Sequence, residues 1–175
     1  MILTNYWKWL DGCLKYHAGV NNIVDVGVID TNGHSTEILY GTTTTNATIY
    51  RRIGDTRTLN NVYPSFGTGD NVIRSSDYRL TNEITTSVIN TNITITSSAD
   101  DYMKKIIAIS GLNNTDSRLE ITEIGLYKVI FQNAATTSGS SGDPTNILLA
   151  IIKLDEPLIV EAHNSFTVTI EWDER

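Results

Sequence analysis

The sequence predicts a mainly β fold: an antiparallel, jelly-roll-like β-sandwich preceded by one short N-terminal α-helix. Three observations carry that expectation. Charged residues make up only 19% of the 175-residue chain, while Thr, Asn, Ser and Ile are frequent. β-Branched side chains suit a pleated surface better than a helix. Short apolar runs alternate with Asn, Gly and Asp turn signals along most of the length, and only the first segment spaces its apolar residues by three and four.

That first segment, residues 1–19, puts Leu3, Tyr6, Trp7, Leu10, Cys13 or Leu14, and His17 on one helical stripe. Thr4 or Asn5 can cap its start and Gly19 its end. Gly12 weakens the interior by about 1 kcal/mol relative to Ala. Trp9 and Tyr16 fall off the stripe, so the helix carries aromatic area on more than one side. It either closes one end of the sandwich or serves as a docking element, since Trp and Tyr are enriched at interfaces.

Residues 23–29 read as the first strand, Asp30-Thr31-Asn32-Gly33 as a hairpin turn and residues 36–40 as its return. A four-threonine tract precedes a third strand over 47–53. Residues 54–80 read as a long loop with Asn60-Asn61, Pro64, Gly67 and Gly69. Loops beyond about 12–15 residues are usually functional. Residues 83–97 and 102–110 read as strands, followed by a turn at Gly111-Leu112-Asn113-Asn114.

Within 119–131, Leu119 and Ile121 share one parity and Ile124 and Leu126 the other, which predicts a bulge near Thr122-Glu123. Residues 132–146 are a loop by composition. Residues 147–154 are nearly all apolar, as in a strand covered on both faces. Asp155-Glu156-Pro157 predicts a turn before a short strand at 158–160. Residues 165–172 alternate cleanly, directing Phe166, Val168, Ile170 and Trp172 inward with Ile121 and Leu149. The length predicts a single domain over 1–175.

The net charge is −7, and the only adjacent basic pairs are Arg51-Arg52 and Lys104-Lys105, so no nucleic-acid partner is expected. Cys13 is the single cysteine; it allows no intrachain disulfide and reads as a small buried hydrophobe. No apolar run approaches the roughly 20 residues of a bilayer span, so no membrane partner is expected. Lys8, Asp11 and Lys15 interrupt the apolar core that a signal peptide needs, which predicts synthesis in the cytoplasm.

His17, His34 and His163 stand apart, with no HExxH or other metal spacing, so neither a metal nor a cofactor is expected. Gly67-Thr68-Gly69-Asp70 lacks the Lys-Ser/Thr of a phosphate loop and reads as a turn that permits close backbone approach. Asp100-Asp101 and Asp155-Glu156 lack EF-hand spacing. Asn46, Asn92 and Asn113 fit glycosylation sequons, which carry no meaning in a bacterial cytoplasm. With no nucleophile elbow, P-loop or dinucleotide fingerprint, the chain is not expected to be an enzyme.

Four segments carry a resemblance. Leu3-Thr4-Asn5-Tyr6 opens the chain, and Phe66-Gly67-Thr68-Gly69 precedes Ser76-Asp77-Tyr78-Arg79-Leu80. Ile121-Thr122-Glu123-Ile124-Gly125-Leu126-Tyr127 comes next. Leu148-Leu149-Ala150 then runs through Pro157 to Thr167-Val168-Thr169-Ile170. In this order they resemble segments of small structural proteins of tailed phages. Ala162-His163-Asn164 departs from the Pro-Gly turn common there, which puts that turn's geometry in question.

The resemblance implies a virion protein, made in the host cytoplasm, in the capsid (as a decoration protein), neck, tail or fibre. It implies other virion proteins as partners, while the many strands, low charge and few prolines of the chain predict a homo-oligomer. Its docking surface is expected to include Tyr6, Trp7, Trp9, Tyr16, Phe66, Gly67, Gly69 and Tyr78. The alternative is a carbohydrate- or receptor-binding module, favoured if Tyr50, Tyr63, Phe66 and Tyr78 cluster in an open cleft.

Overall fold

The computed structural model describes residues 1–17, 23–39, 62–85, 89–97, 104–131 and 144–173. The fold is mainly β, an antiparallel sandwich with one short N-terminal helix. The helix is α1 (Thr4–His17). The strands are β1 (Ile23–Ile29), β2 (Ser35–Leu39), β3 (Val62–Gly67), β4 (Glu83–Ile84), β5 (Ile89–Ser97), β6 (Lys104–Asn113), β7 (Leu119–Phe131), β8 (Pro144–Val160) and β9 (Ser165–Asp173). They form sheets ordered β1-β2, β4-β3-β7-β8 and β5-β6-β9. The threonine tract, the strand expected at 47–53, most of the loop expected at 132–146 and Tyr50 lie outside the described residues.

Contacts divide the chain into two compact units. One comprises Met1–Val62, Val72–Arg79 and Leu126–Ile151; the other Tyr63–Asn71, Leu80–Gly125 and Ile152–Arg175. The division cuts β7 after Gly125 and β8 after Ile151.

In the first unit, α1 is fixed by polar contacts as well as apolar ones. The Asn5 side chain acts like a strand neighbour: its Nδ2 donates to the Ile29 carbonyl at 2.7 Å and its Oδ1 accepts from the Ile29 N–H at 2.8 Å. This pair pins the helix rotation. Asn5, Tyr6 and Trp9 turn inward with Leu3, and Trp7 turns out, 49% exposed. The stripe expected from spacing therefore exchanges Trp7 for Trp9, because a buried amide that satisfies two backbone groups outranks a small change in apolar periodicity.

Before the helix, residues 1–3 pair with β8 instead of starting a helical turn. Leu3 N–H donates to the Leu149 carbonyl at 2.9 Å and Ile151 N–H to the Met1 carbonyl at 3.0 Å. The Met1 ammonium donates to the Ile151 carbonyl, and partial burial lowers its pKa. A β-bulge lies in β1: the three residues between Val24 and Val28 oppose one on β2, between Ile38 and Thr36. There Gly27 adopts φ +59, and its carbonyl accepts from the Lys8 ammonium.

In the second unit, β5-β6-β9 turns Ile95, Ile107, Ile109, Phe166 and Trp172 inward. Gly111 lies opposite Phe166 in the ladder, and a Cβ there would collide with the Phe166 ring. The ring instead meets Phe66 of β3 edge-on, with centroids 5.3 Å apart and planes at 83°. The turn expected at Gly111 to Asn114 is thus strand through Asn113, because the glycine serves ring packing.

Two proline-marked segments are also corrected. The expected loop over 54–80 contains β3, whose four residues from Pro64 to Gly67 are all buried. β4 opposes only Phe66 and Gly67, so Pro64 owes no donor on that side. The turn expected at Asp155 to Pro157 is absent, and β8 runs unbroken for 17 residues. β8 is the last strand in its sheet order, the place in a sheet that admits proline.

Candidate functional site

Two of the segments singled out by resemblance, the one at Phe66-Gly67-Thr68-Gly69 and the one at Thr122-Glu123, meet around one carboxylate in the second unit. Glu123 on β7 is 3% exposed, and its Oε1 accepts from the Thr81 N–H at 3.1 Å. The carboxylate fits because neither Gly67 nor Gly69 has a side chain. A Cβ on either would sit 2.5 Å from Glu123 Oε1. Thr122 Oγ1 donates to the Gly69 carbonyl at 2.7 Å, and Thr68 N–H donates to the Asn82 carbonyl at 3.0 Å. The parity change near Thr122-Glu123 falls where the burial pattern of β7 changes. Glu123 keeps the inward phase of Ile121, and from Ile124 to Lys128 every residue is buried.

In the first unit, the Ser76-to-Leu80 segment closes a different contact. Asp77 Oδ2 accepts from the Arg74 N–H at 2.7 Å, and Thr4 N–H donates to the Ser75 carbonyl at 2.8 Å. Tyr78 lies against Gly33, which has φ +86 and would place a Cβ 3.3 Å from the ring. Asp30 organises that hairpin turn, its Oδ1 accepting from the N–H groups of Asn32 at 2.8 Å and His34 at 2.9 Å.

Another buried clamp joins two turns of the second unit. Asn113 is fully buried. Its Nδ2 lies within bonding distance of the carbonyls of Ser117 (2.8 Å), Val160 (3.2 Å) and Glu161 (3.1 Å). Its Oδ1 accepts from Thr115 N–H at 3.0 Å and Thr115 Oγ1 at 2.8 Å. Across from it, His163 takes φ +58 and contacts Asp116 Oδ1 at 2.9 Å. His163 thus adopts the left-handed conformation usually left to Gly.

Of the expected docking residues, Tyr6, Trp9 and Phe66 are buried inside their own units, and Gly67 and Gly69 make room for Glu123. Those five serve packing. Tyr6 and Trp9 are 5.9 Å apart, and Lys128 sits 5.5 Å from the Trp9 centroid. Tyr78 is half-buried, and the side chain of Tyr16 lies outside those described. Trp7 is the docking candidate left on the surface of α1. Its indole meets Tyr6 edge-on at 5.0 Å, which holds it in place.

The tyrosine cleft expected of a sugar-binding module takes a reduced form. A cavity of about 210 Å³ in the second unit is lined by Tyr63, Pro64, Ser65, Phe66, Ile84, Thr85, Ile89 and Thr91. Ser65 Oγ donates to Glu83. Burial, with the Glu83 charge second, pushes the Tyr63 phenol up to about 12. Among the described residues, no group of three or more His, Cys, Asp or Glu could hold a metal ion. Among them, too, no helix is long and apolar enough to cross a membrane.

Sequence reasoning missed Glu123 and Asn113. For Glu123 the available signal was a carboxylate at the parity change, on the same strand phase as Ile121. Asn113, two residues after Gly111 and beside Asn114, has the local pattern of an ordinary turn residue. The chain matches no family model, no curated protein and no solved structure.

Proposed function

We propose that this chain is a structural protein of a tailed-phage particle, docking on neighbouring capsid, neck or tail subunits and carrying out no catalysis. What supports the reading is the junction at Glu123. The GTG and TEIG segments, matched separately along the sequence, lock together there through Gly67, Gly69 and a carboxylate. A resemblance whose parts interlock is more specific than scattered short matches.

Trp7 is the anchor of the docking surface in this reading. Interface energy concentrates in a few Trp, Tyr and Arg residues, and losing one anchor typically costs over about 2 kcal/mol of binding. Mass spectrometry of purified particles tests the assignment: the chain should be present at a fixed ratio to the major shell protein. Trp7→Ala should then leave the melting temperature unchanged and deplete the chain from particles. Absence of the wild-type chain from particles overturns the proposal.

A further inference from the structure

The outer face of β5-β6-β9 has an internal symmetry that points to its occupant. Its described residues are Asn92, Thr94 and Thr96 on β5, Ile106, Ala108, Ser110 and Leu112 on β6, and Ser165, Thr167, Thr169 and Glu171 on β9. All are exposed except half-buried Ala108, and Glu171 is the one charged residue among them. Ile106 and Leu112, 44% and 38% exposed, are its large apolar groups.

Ile93, Ile109 and Val168 are register partners, forming one row across the three strands. The outward residues are nearly palindromic about that row. Ile106 mirrors Leu112, Ala108 mirrors Ser110, Thr94 mirrors Asn92, Thr169 mirrors Thr167, and Glu171 mirrors Ser165. We infer that this face binds the same face of a second copy, about a two-fold axis running across the strands over the Ile93–Ile109–Val168 row.

An isologous contact requires a face complementary to itself, because each residue meets its own mirror position on the other copy. Each large apolar side chain here meets the other one, and the small pair at the centre allows close approach. The charges agree with the same axis. One step beyond the face, Lys104 falls opposite Asn114 of the other copy, beside its exposed Asp116, and Asp173 falls opposite His163. Among the described residues no like charges meet. A chain of net charge −7 repels its own copies elsewhere, so this charge-poor face is where they can approach.

The area sets the strength. Three strands about 4.8 Å apart and about 30 Å long present on the order of 400 Å². Stable complexes need about 800 Å² per partner. The contact is therefore weak in dilute solution, with a dissociation constant of about 1 mM, and forms when copies are held close together.

Register-specific cross-linking of the isolated chain tests this without reference to any particle. In a Cys13→Ser background, I106C and L112C chains are mixed near 1 mM and treated with a short bis-maleimide. The mixture should give cross-linked heterodimers, while either variant alone gives few, because like positions lie about 20 Å apart across the axis. Ser110→Arg, added to both chains, should abolish the product with no change in melting temperature. Equal yields from single variants and mixture overturn the register. A wild-type chain that sediments as a monomer at about 1 mM overturns the self-contact and leaves the face to another partner or to solvent.

Discussion

Glu123 occupies with its carboxylate the space that a side chain on Gly69 would need, its Oε1 2.5 Å from the position of that missing Cβ. The same oxygen accepts from Thr81 N–H, so the carboxylate cannot retreat without giving up a bond inside the unit. The glycines of the GTG segment are thus explained by a residue more than fifty positions later.

Gly69→Ala should therefore destabilise the fold by about 1–3 kcal/mol, as overpacking does. Glu123→Ala should be destabilising by itself, since it strands the Thr81 N–H. In Gly69→Ala it should cost less, giving a coupling above about 0.5 kcal/mol in a double-mutant cycle by urea denaturation. Strict additivity would show that the two residues do not share this space.

Asn113→Ala should cost about 2–4 kcal/mol, because several buried partners of one amide lose their bonds together. Asn113→Asp should also destabilise. A carboxylate keeps the acceptor for Thr115 but cannot donate to the carbonyls of Ser117, Val160 and Glu161. Stability near wild type for Asn113→Asp, measured at neutral pH, would contradict the clamp.

Tyr63 should ionise about two pH units later than an ordinary tyrosine, contributing to the late part of an alkaline absorbance titration. Tyr63→Phe should lower the late amplitude by one phenol. Glu83→Gln should lower the Tyr63 midpoint only part of the way, because burial is the larger cause. The unfolded phenol releases its proton near 10.0 and the folded one near 12, so between those values the unfolded chain holds fewer protons. Stability from this group is present in full below pH 10.0 and is lost as pH rises toward 12.

Ile107 and Ile170 are ladder partners with unequal burial: Ile107 is 0% exposed, whereas Ile170 is half-buried. Ile107→Ala should cost about 2–5 kcal/mol, from lost transfer energy and a residual cavity. Ile170→Ala should cost less than half as much, since solvent already reaches the site. Comparable losses in denaturant melts would show that the strand alternation, and not the burial, sets the energetics.

The sequence by itself determined the class and most of the strands. β1, β7 and β9 were legible because period-two alternation, or a continuous apolar run bounded by turn residues, records burial that each strand experiences along its own length. The helix was legible for the same reason at a period near 3.6. Tertiary structure decided what depends on residues far apart in sequence. It decided the helix rotation, because Asn5 meets Ile29, and it decided which glycines mark turns. Gly33 takes a positive φ, while Gly69 and Gly111 clear space for Glu123 and Phe166. It kept β3 and β8 extended through proline, Pro64 where β4 does not pair with it and Pro157 on the last strand of its sheet. The mirror symmetry of the β5-β6-β9 face was likewise hidden, since it exists only once the register sets Ile93, Ile109 and Val168 in one row. Local periodicity reports whether a side chain is buried; only the pairing of distant segments reports against what.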